Sequence, residues 1–229
     1  MKLSIVIPCF NEALNLPSLI KKCDQLKELP HVEIIFVDNG SSDNSNAVLK
    51  QFLDGISNFY LVSLSENQGY GYGILNGLRK ASGDILAWTH ADMQTDPNDL
   101  LTGFEIFNAN NNKNIFVKGR RKNRPLKDNI FTFGMSVFAS VLFRKIMTDI
   151  NAQPTMFTRE FFNSWNNPPN DFSLDLYAFH RAKKNDLKIL RFPVIFHNRY
   201  LGNSSWNIGF QSRYNFIKRT IRYILKLKQ

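Results

Sequence analysis

The chain has 229 residues, 43% of them hydrophobic, two cysteines and a formal net charge of +10. That length fits one domain with a full core, and the composition excludes a long disordered region. Cys9 and Cys23 match no metal or redox spacing, so a disulfide scaffold is excluded and a reducing compartment is expected.

The opening Met1-Lys2-Leu3 runs at once into Ile5-Val6-Ile7-Pro8 and is closed by Asn11-Glu12. It is too short and too lightly charged for a signal peptide. No apolar run reaches the roughly 18 residues of a bilayer span. A cytoplasmic protein is expected. Its charge is uneven. Residues 113–127 hold Lys113, Lys118, Arg120, Arg121, Lys122, Arg124 and Lys127 without an acid. Residues 206–229 hold Arg213, Lys218, Arg219, Arg222, Lys226 and Lys228, again without an acid, which leaves the remainder at −3. Two basic patches on an ordinary domain point to phosphates of a ligand, anionic lipid or nucleic acid.

In chain order, Leu3 to Ile7 reads as a buried strand and Asn15 to Leu29 as a helix. Val32 to Val37 is a strand, Ser45 to Leu53 a helix and Phe59 to Leu64 a strand. Tyr72 to Ala81 is a helix, followed by a strand from Ile85 to Trp88. This alternation predicts an α/β fold, a mostly parallel, Rossmann-like sheet with helices on both faces. The second half is less regular. Ile130 to Phe143 is apolar almost all round and reads as a core or interfacial helix, and Lys188 to Phe196 as a late strand. Residues 1–205 form the main domain. The tail, 206–229, reads as an appended basic amphipathic helix, with Trp206, Phe210, Tyr214, Ile217, Ile221, Ile224 and Leu225 on one narrow face.

In such sheets ligands bind beyond the carboxyl ends of the strands. There the sequence places Pro8-Cys9-Phe10-Asn11-Glu12, Asp38-Asn39-Gly40-Ser41-Ser42-Asp43, Glu66 to Gly71, and His90-Ala91-Asp92-Met93-Gln94. An acid at Asp38 suits a base or ribose, and the small residues from Gly69 to Gly73 let the backbone approach a ligand closely. Asp92 and Gln94 offer hard oxygen donors for Mg²⁺ or Mn²⁺, whose shell phosphate and water would complete. Each group has a plainer role too. Asp38-Asn39-Gly40 makes a tight turn, the glycines fit neither the dinucleotide fingerprint nor a P-loop, Asp92 could cap a helix that Pro97 helps to begin, and His90 could simply pack.

The joint pattern resembles the family 2 glycosyltransferases of GT-A fold. The matching residues are Ser4 to Pro8 with Asn11-Glu12, Ile35 to Asp43, Asn67-Gln68-Gly69 through Asn76-Gly77, and Ala81 to Asp84 leading into His90 to Gln94. Within that family the chain is similar to the dolichol- and polyprenyl-phosphate mannose synthase branch, by Asp92 and Gln94, Phe192 to Phe196, Arg199 and Gly202 to Trp206. The resemblance implies an inverting, metal-dependent transferase using a UDP- or GDP-sugar. It places Pro8, Phe10, Glu12 and Asp38 on the nucleoside, Ala91 and Asp92 against the diphosphate, and Asp92 and Gln94 on the metal. Lys118 or Arg120, together with Arg199, would pair with phosphate oxygens. Two positions depart from the family pattern. His90 stands where an Asp is usual, and Ser205 follows Ser204 where a lysine is usual.

A lipid-phosphate acceptor is already an anion and needs no base, whereas a saccharide hydroxyl needs one. Asp171 is then the candidate, with Asp175 behind it, and capping the following helix is the alternative role for Asp171. The basic tail suits an anionic leaflet at about 1 kcal/mol per cation, giving a peripheral protein on the inner membrane face. A nucleic-acid module fits less well, because the basic runs lack interleaved aromatics. A non-catalytic nucleotide- or polyanion-binding protein is the reading of another class.

Overall fold

The structure is a computed structural model that describes residues 1–110, 114–122, 126–197, 199, 201, 218–223 and 225, with the main chain alone over 126–133 and at 135. Its described strands are β1 (Leu3–Cys9), β2 (Val32–Asn39), β3 (Phe59–Leu64), β4 (Ile85–Trp88), β5 (Ile115–Lys122), β6 (Thr155–Thr158) and β7 (Lys188–Ile195). They form a seven-stranded sheet in the order β3-β2-β1-β4-β6-β5-β7. β6 runs antiparallel to both neighbours, β4 and β5, and the other pairings are parallel. The expected mostly parallel sheet is therefore present.

Alternation along the strands splits the interior into two cores. Leu3, Ile5, Ile7, Ile34, Phe36, Ile85, Val117 and Met156 face one side, while Val6, Ile35, Val37, Leu86, Trp88, Phe116 and Phe157 face the other. Successive strand side chains point to opposite faces, so runs such as Ile34-Ile35-Phe36-Val37 feed both cores at once. The first core is covered by α1 (Leu16–Lys22), α2 (Asp24–Lys27), α3 (Ser45–Leu53) and, further on, by the helix Asp99–Ala109. The second is covered by α4 (Tyr70–Lys80) and, after that helix (α5), by α6 (Leu126–Phe143), α7 (Arg159–Asn163) and α8 (Leu174–Lys184).

Several sequence expectations shift. The single helix expected from Asn15 to Leu29 breaks at Cys23, whose amide is shared between the Leu19 and Ile20 carbonyls. The helix expected from Tyr72 begins at Tyr70. The first basic patch contains β5, whose Ile115 to Gly119 are buried, so part of that charge enters the interior rather than coating a surface. The apolar helix is α6, with Ser136 and Ala139 buried but Val137 and Val141 exposed. Most of the tail, including Trp206, Phe210, Tyr214, Ile217 and Ile224, lies outside the described residues. Residues 218–223 are helical there; Thr220 is buried and Tyr223 packs on the second core, whereas Leu225 is exposed.

The Ala81-Ser82-Gly83-Asp84 motif proves structural, at the edge of the sheet where β1, β2 and β4 begin. Buried Glu33 accepts from Ser4 Oγ (2.6 Å), Ser82 N (2.6 Å) and Ser82 Oγ (2.8 Å) and pairs with Lys2 at 2.7 Å. Burial alone would raise its carboxyl, but Lys2, Ser4 and Ser82 together hold it down at about 2. A carboxylate with a depressed folded pKa contributes stability above its unfolded value, and loses it as pH falls through the folded one. Glu33→Gln should therefore cost about 2 kcal/mol at neutral pH by denaturant titration. Part of the wild-type advantage should vanish between the ordinary value of 4.5 and about 2.

Candidate active site

Because β1, β2 and β4 are parallel, the loops after Cys9, Asn39 and Trp88 leave from one edge. The first two loops are laced together. Asn11, in a left-handed conformation (φ 56), accepts from Ser42 N at 2.8 Å, its own amide donates to Ser41 Oγ at 3.0 Å, and Ala13 N donates to Asp43 Oδ2 at 3.1 Å. Asn and Asp tolerate such a backbone better than most residues. These polar links were not assigned a role by the sequence, although Asn11, Ser41, Ser42 and Asp43 lie within the motifs it singled out.

Asp38 is buried at the end of β2 and serves the turn it begins, accepting from Ser41 N (3.1 Å) and Asn46 Nδ2 (2.7 Å). Pro8 is partly buried and Phe10 is exposed beside it. Glu12 is buried, accepts from Asn15 Nδ2 at 2.6 Å and forms an ion pair with Arg199. Burial pushes the Glu12 carboxyl above its ordinary value and nearby Asp92 adds to the rise, while Asn15 and Arg199 oppose it. Asn15 Nδ2 also donates to Leu201 O at 3.2 Å, so residues 199 and 201 are drawn across the β1 loop.

Asp92 does not cap α5, which has Asn98 at its N-cap, with Asp96 Oδ1 accepting from Asn98 N at 2.9 Å. Instead Asp92 Oδ1 accepts from Gln94 N at 3.1 Å. Gln94 is clamped by His197, which donates its amide to Gln94 O at 2.9 Å and accepts from Gln94 Nε2 at 3.3 Å. With its nitrogen so engaged, Gln94 presents its side-chain oxygen as the remaining acceptor, and Asp92 keeps its second carboxylate oxygen. Two hard oxygens fit Mg²⁺ or Mn²⁺. Among the described residues no cluster of three or more His, Cys, Asp or Glu side chains could hold a metal alone, so such an ion would need a ligand's phosphates. Ala91 packs its methyl into the first core, leaving only its main chain to meet a diphosphate. His90 lies against Tyr70, with ring centroids 5.7 Å apart.

The cations sort differently from expectation. Lys118 is 0% exposed, its ammonium donating to Thr155 Oγ1 at 2.8 Å and lying 3.8 Å from Asp175. Burial lowers its pKa, with Asp175 opposing. It is therefore an interior partner rather than a phosphate ligand, and Arg120, exposed near the end of β5, is left as the free-standing cation of that pair. Asp175, buried and bonded to Gln153 Nε2 at 2.7 Å, is likewise removed as a base in reach of solvent. Asp171 is not the N-cap of α8, which is Ser173, but braces the turn before it. Oδ1 accepts from Ser173 N at 2.7 Å ahead of α8, while Oδ2 lies 3.6 Å from Arg219 on a side chain that is 39% exposed. Arg219 also covers the Phe172 ring at 5.4 Å, so the tail reaches the loop that carries Asp171.

The glycines at 69 and 71 accommodate protein, not ligand. A Cβ on Gly71 would fall 2.5 Å from Pro169 O and 2.7 Å from Asp171 O, and one on Gly69 would fall 2.4 Å from Asn170 O. Tyr72 N donates to Asn170 O at 2.8 Å, fixing the Asp171 loop on the start of α4. No sequence signal links these segments, which are distant in the chain. Gly71→Ala must displace backbone and should cost about 2 kcal/mol or more, read as a lowered denaturation midpoint. Gly55→Ala, where nothing lies within 4 Å but φ is +75°, should cost only about 1 kcal/mol.

A mostly parallel sheet whose loops after β1, β2 and β4 bring Glu12, Asp38, Asp92 and Gln94 to one edge, with Arg199 paired to Glu12, has the layout in which α/β proteins bind ligands. Residues 4–167 match the family model described as glycosyl transferase family 2, and the chain belongs to that family. It is 37% identical over 105 residues to an undecaprenyl-phosphate 4-deoxy-4-formamido-L-arabinose transferase of Proteus mirabilis (strain HI4320), covering 43% of this chain and 31% of that protein. The same-named protein of Yersinia pestis (strain Pestoides F) is 38% identical over 104 residues, covering 43% and 31%. The match thus spans about a third of the length of these relatives. Among solved structures, glucosyl-3-phosphoglycerate synthase from Mycobacterium tuberculosis, in complex with Mn²⁺ and UDP-glucose, superposes with a TM-score of 0.74 at 17% identity, over 97% of this chain and 78% of that one. A mannosyltransferase from Pyrobaculum calidifontis, in complex with GDP-Man and Mn²⁺, gives 0.66 at 17% identity, over 89% and 58%. These likenesses establish the GT-A fold.

Proposed function

We propose that the protein is an inverting glycosyltransferase that moves a sugar from a UDP- or GDP-sugar to polyprenyl phosphate at the cytoplasmic face of a membrane. The observation that carries this reading is the Glu12–Arg199 ion pair on the loop after β1, with the Asp92–Gln94 turn on the loop after β4 at the same edge of the sheet, within a family 2 domain. The relatives named for undecaprenyl-phosphate sugar transfer support the acceptor class.

Pro8, Phe10 and Asp38 line the side assigned to the nucleoside, with Glu12 and Arg199 at its boundary. Arg199 pairs with Glu12, and a diphosphate would compete for it, since a planar guanidinium meets phosphate oxygens bidentately. Arg120 is the second phosphate partner. Asp92 and Gln94 would hold Mg²⁺ or Mn²⁺, which when bound supplies charge neutralisation for the leaving diphosphate. The acceptor attacks the anomeric carbon from the face opposite the diphosphate, and the C–O bond to the diphosphate breaks as the new one forms. With a phosphate acceptor no proton has to be removed. A saccharide hydroxyl is the alternative acceptor, favoured by the half-exposed carboxylate of Asp171, which would take the proton.

The membrane contact falls on the flank of the domain. No helix among the described residues is long and apolar enough to cross a bilayer. Val141 (71% exposed) and Ile146 (73%), with Val137, project from α6 and its end beside exposed Arg144 and Lys145. In the tail, Lys218, Arg222 and Leu225 are exposed while Thr220 faces inward. Aliphatic side chains fringed by cations suit an anionic leaflet.

The test is sugar transfer by purified protein with Mg²⁺ or Mn²⁺, a panel of UDP- and GDP-sugars, and polyprenyl phosphate in detergent. Metal-dependent product, reduced on the order of 100-fold or more in Asp92→Ala, is expected. Arg199→Ala should raise the donor KM on the order of tenfold, from the loss of one charge-assisted contact. Nucleotide release without lipid product would move the acceptor to a hydroxyl, and Asp171→Asn would then abolish transfer. No turnover of any donor would contradict the reading.

A further inference from the structure

Beneath the crevice runs a chain of buried polar groups that the proposed chemistry does not use. Lys118 on β5 reaches Thr155 on β6 and lies beside Asp175 on α8. Asp175 accepts from Gln153 Nε2 at 2.7 Å, and the same nitrogen lies 3.3 Å from the Tyr70 hydroxyl at the start of α4. Lys118, Gln153, Thr155 and Asp175 are each 2% exposed or less. Burial, then the Asp175 charge, keeps the Tyr70 phenol well above its ordinary value, hence protonated.

The far end of this chain is the Tyr70 ring. It stacks on Phe172 with centroids 4.7 Å apart and planes within 9°, and packs at 34° against His90 with centroids 5.7 Å apart. Phe172 follows Asp171, the candidate base. His90 stands in the loop that carries Asp92 and Gln94. Tyr70 therefore touches both the donor loop and the acceptor loop while its hydroxyl is tied to the interior. Packing alone does not require this. Apolar residues of similar volume often stabilise an interior as well as a buried ion pair does, whereas a satisfied polar network fixes one geometry.

We propose that Tyr70, anchored through Gln153, Asp175 and Lys118, is a positioning residue that couples the donor loop at 89–95 to the acceptor loop at 169–173. Its kinetic consequence rests on the glycosyltransferase reading; its structural consequence does not. Transfer requires the anomeric carbon and the attacking oxygen to be aligned, and a misplacement of about 1 Å can cost roughly 100-fold. Water needs no such alignment with the acceptor loop. Loosening Tyr70 therefore depresses sugar transfer more than donor hydrolysis.

The experiment compares wild type, Tyr70→Phe and Tyr70→Leu by hydrogen exchange and by kinetics. Tyr70→Phe keeps the ring and removes the anchor; Tyr70→Leu removes both. In Tyr70→Leu, amides at 89–95 and at 169–173 should exchange on the order of tenfold faster together, with β1 amides unchanged, and in Tyr70→Phe the same two segments should respond more weakly. Transfer kcat should fall at least tenfold in Tyr70→Leu, with the donor KM within about twofold and the rate of donor hydrolysis retained. If Tyr70→Leu loosens the whole chain, Tyr70→Phe carries the test. The proposal is overturned if only one segment or neither responds, or if transfer and hydrolysis fall in parallel. A wild type that turns over no donor would instead contradict the glycosyltransferase reading, and exchange would still decide the coupling.

Discussion

Parallel hydrogen bonding of β1 to β2 on one side and β4 on the other puts Cys9 opposite Asp38 and brings the loop after Trp88 to the same edge. The remaining features of the site follow from that alignment. It gathers Glu12, Asp38 and Asp92 at one edge, where burial raises the Glu12 carboxyl. The fold answers with local donors for Asp38, in Ser41 and Asn46, and a distant cation for Glu12, in Arg199. Hard oxygen donors at Asp92 and Gln94 suit a divalent cation at that edge.

The antiparallel β6 does a different job. By pairing with both β4 and β5, it lets the basic strand β5 run parallel to β4 and deliver Arg120 to the rim, while Lys118 turns inward against Thr155. Arg121, between them in function, is held by Asp149, which accepts from its amide at 3.0 Å and its Nε at 2.8 Å. One short run of cations thus serves the surface, an ion pair and the interior. The Asp171 loop is built the same way from distant pieces, since it rests on Gly69 and Gly71 and is overlaid by Arg219.

The N-terminal half was legible because its signals are local. Buried parallel strands read as short Val- and Ile-rich runs, and Ser45–Leu53, Phe59–Leu64 and Ile85–Trp88 fall where the pattern put them. The acids after those strands were legible for the same reason. The second half hides its strands. β6 has only four residues, Thr155–Thr158, and β5 is disguised by its lysines and arginines. Burial of Lys118 cannot be read from a sequence in which it sits among exposed cations; it depends on Asp175, far along the chain. The glycines at 69 and 71 were marked for the approach of a ligand, but what approaches is the 169–171 backbone, a tertiary fact. The Ala81 to Asp84 motif, matched with the site motifs, turned out to brace the opposite edge through Glu33.

The measurement that tests the central claim most directly is calorimetric titration of the protein with UDP and with GDP, each with and without Mn²⁺, beside Asp92→Ala. The account predicts binding of at least one of the two nucleotides that strengthens at least tenfold with Mn²⁺, and loss of that metal enhancement in the variant. Binding that ignores both the metal and Asp92, or no binding of either nucleotide, would contradict it.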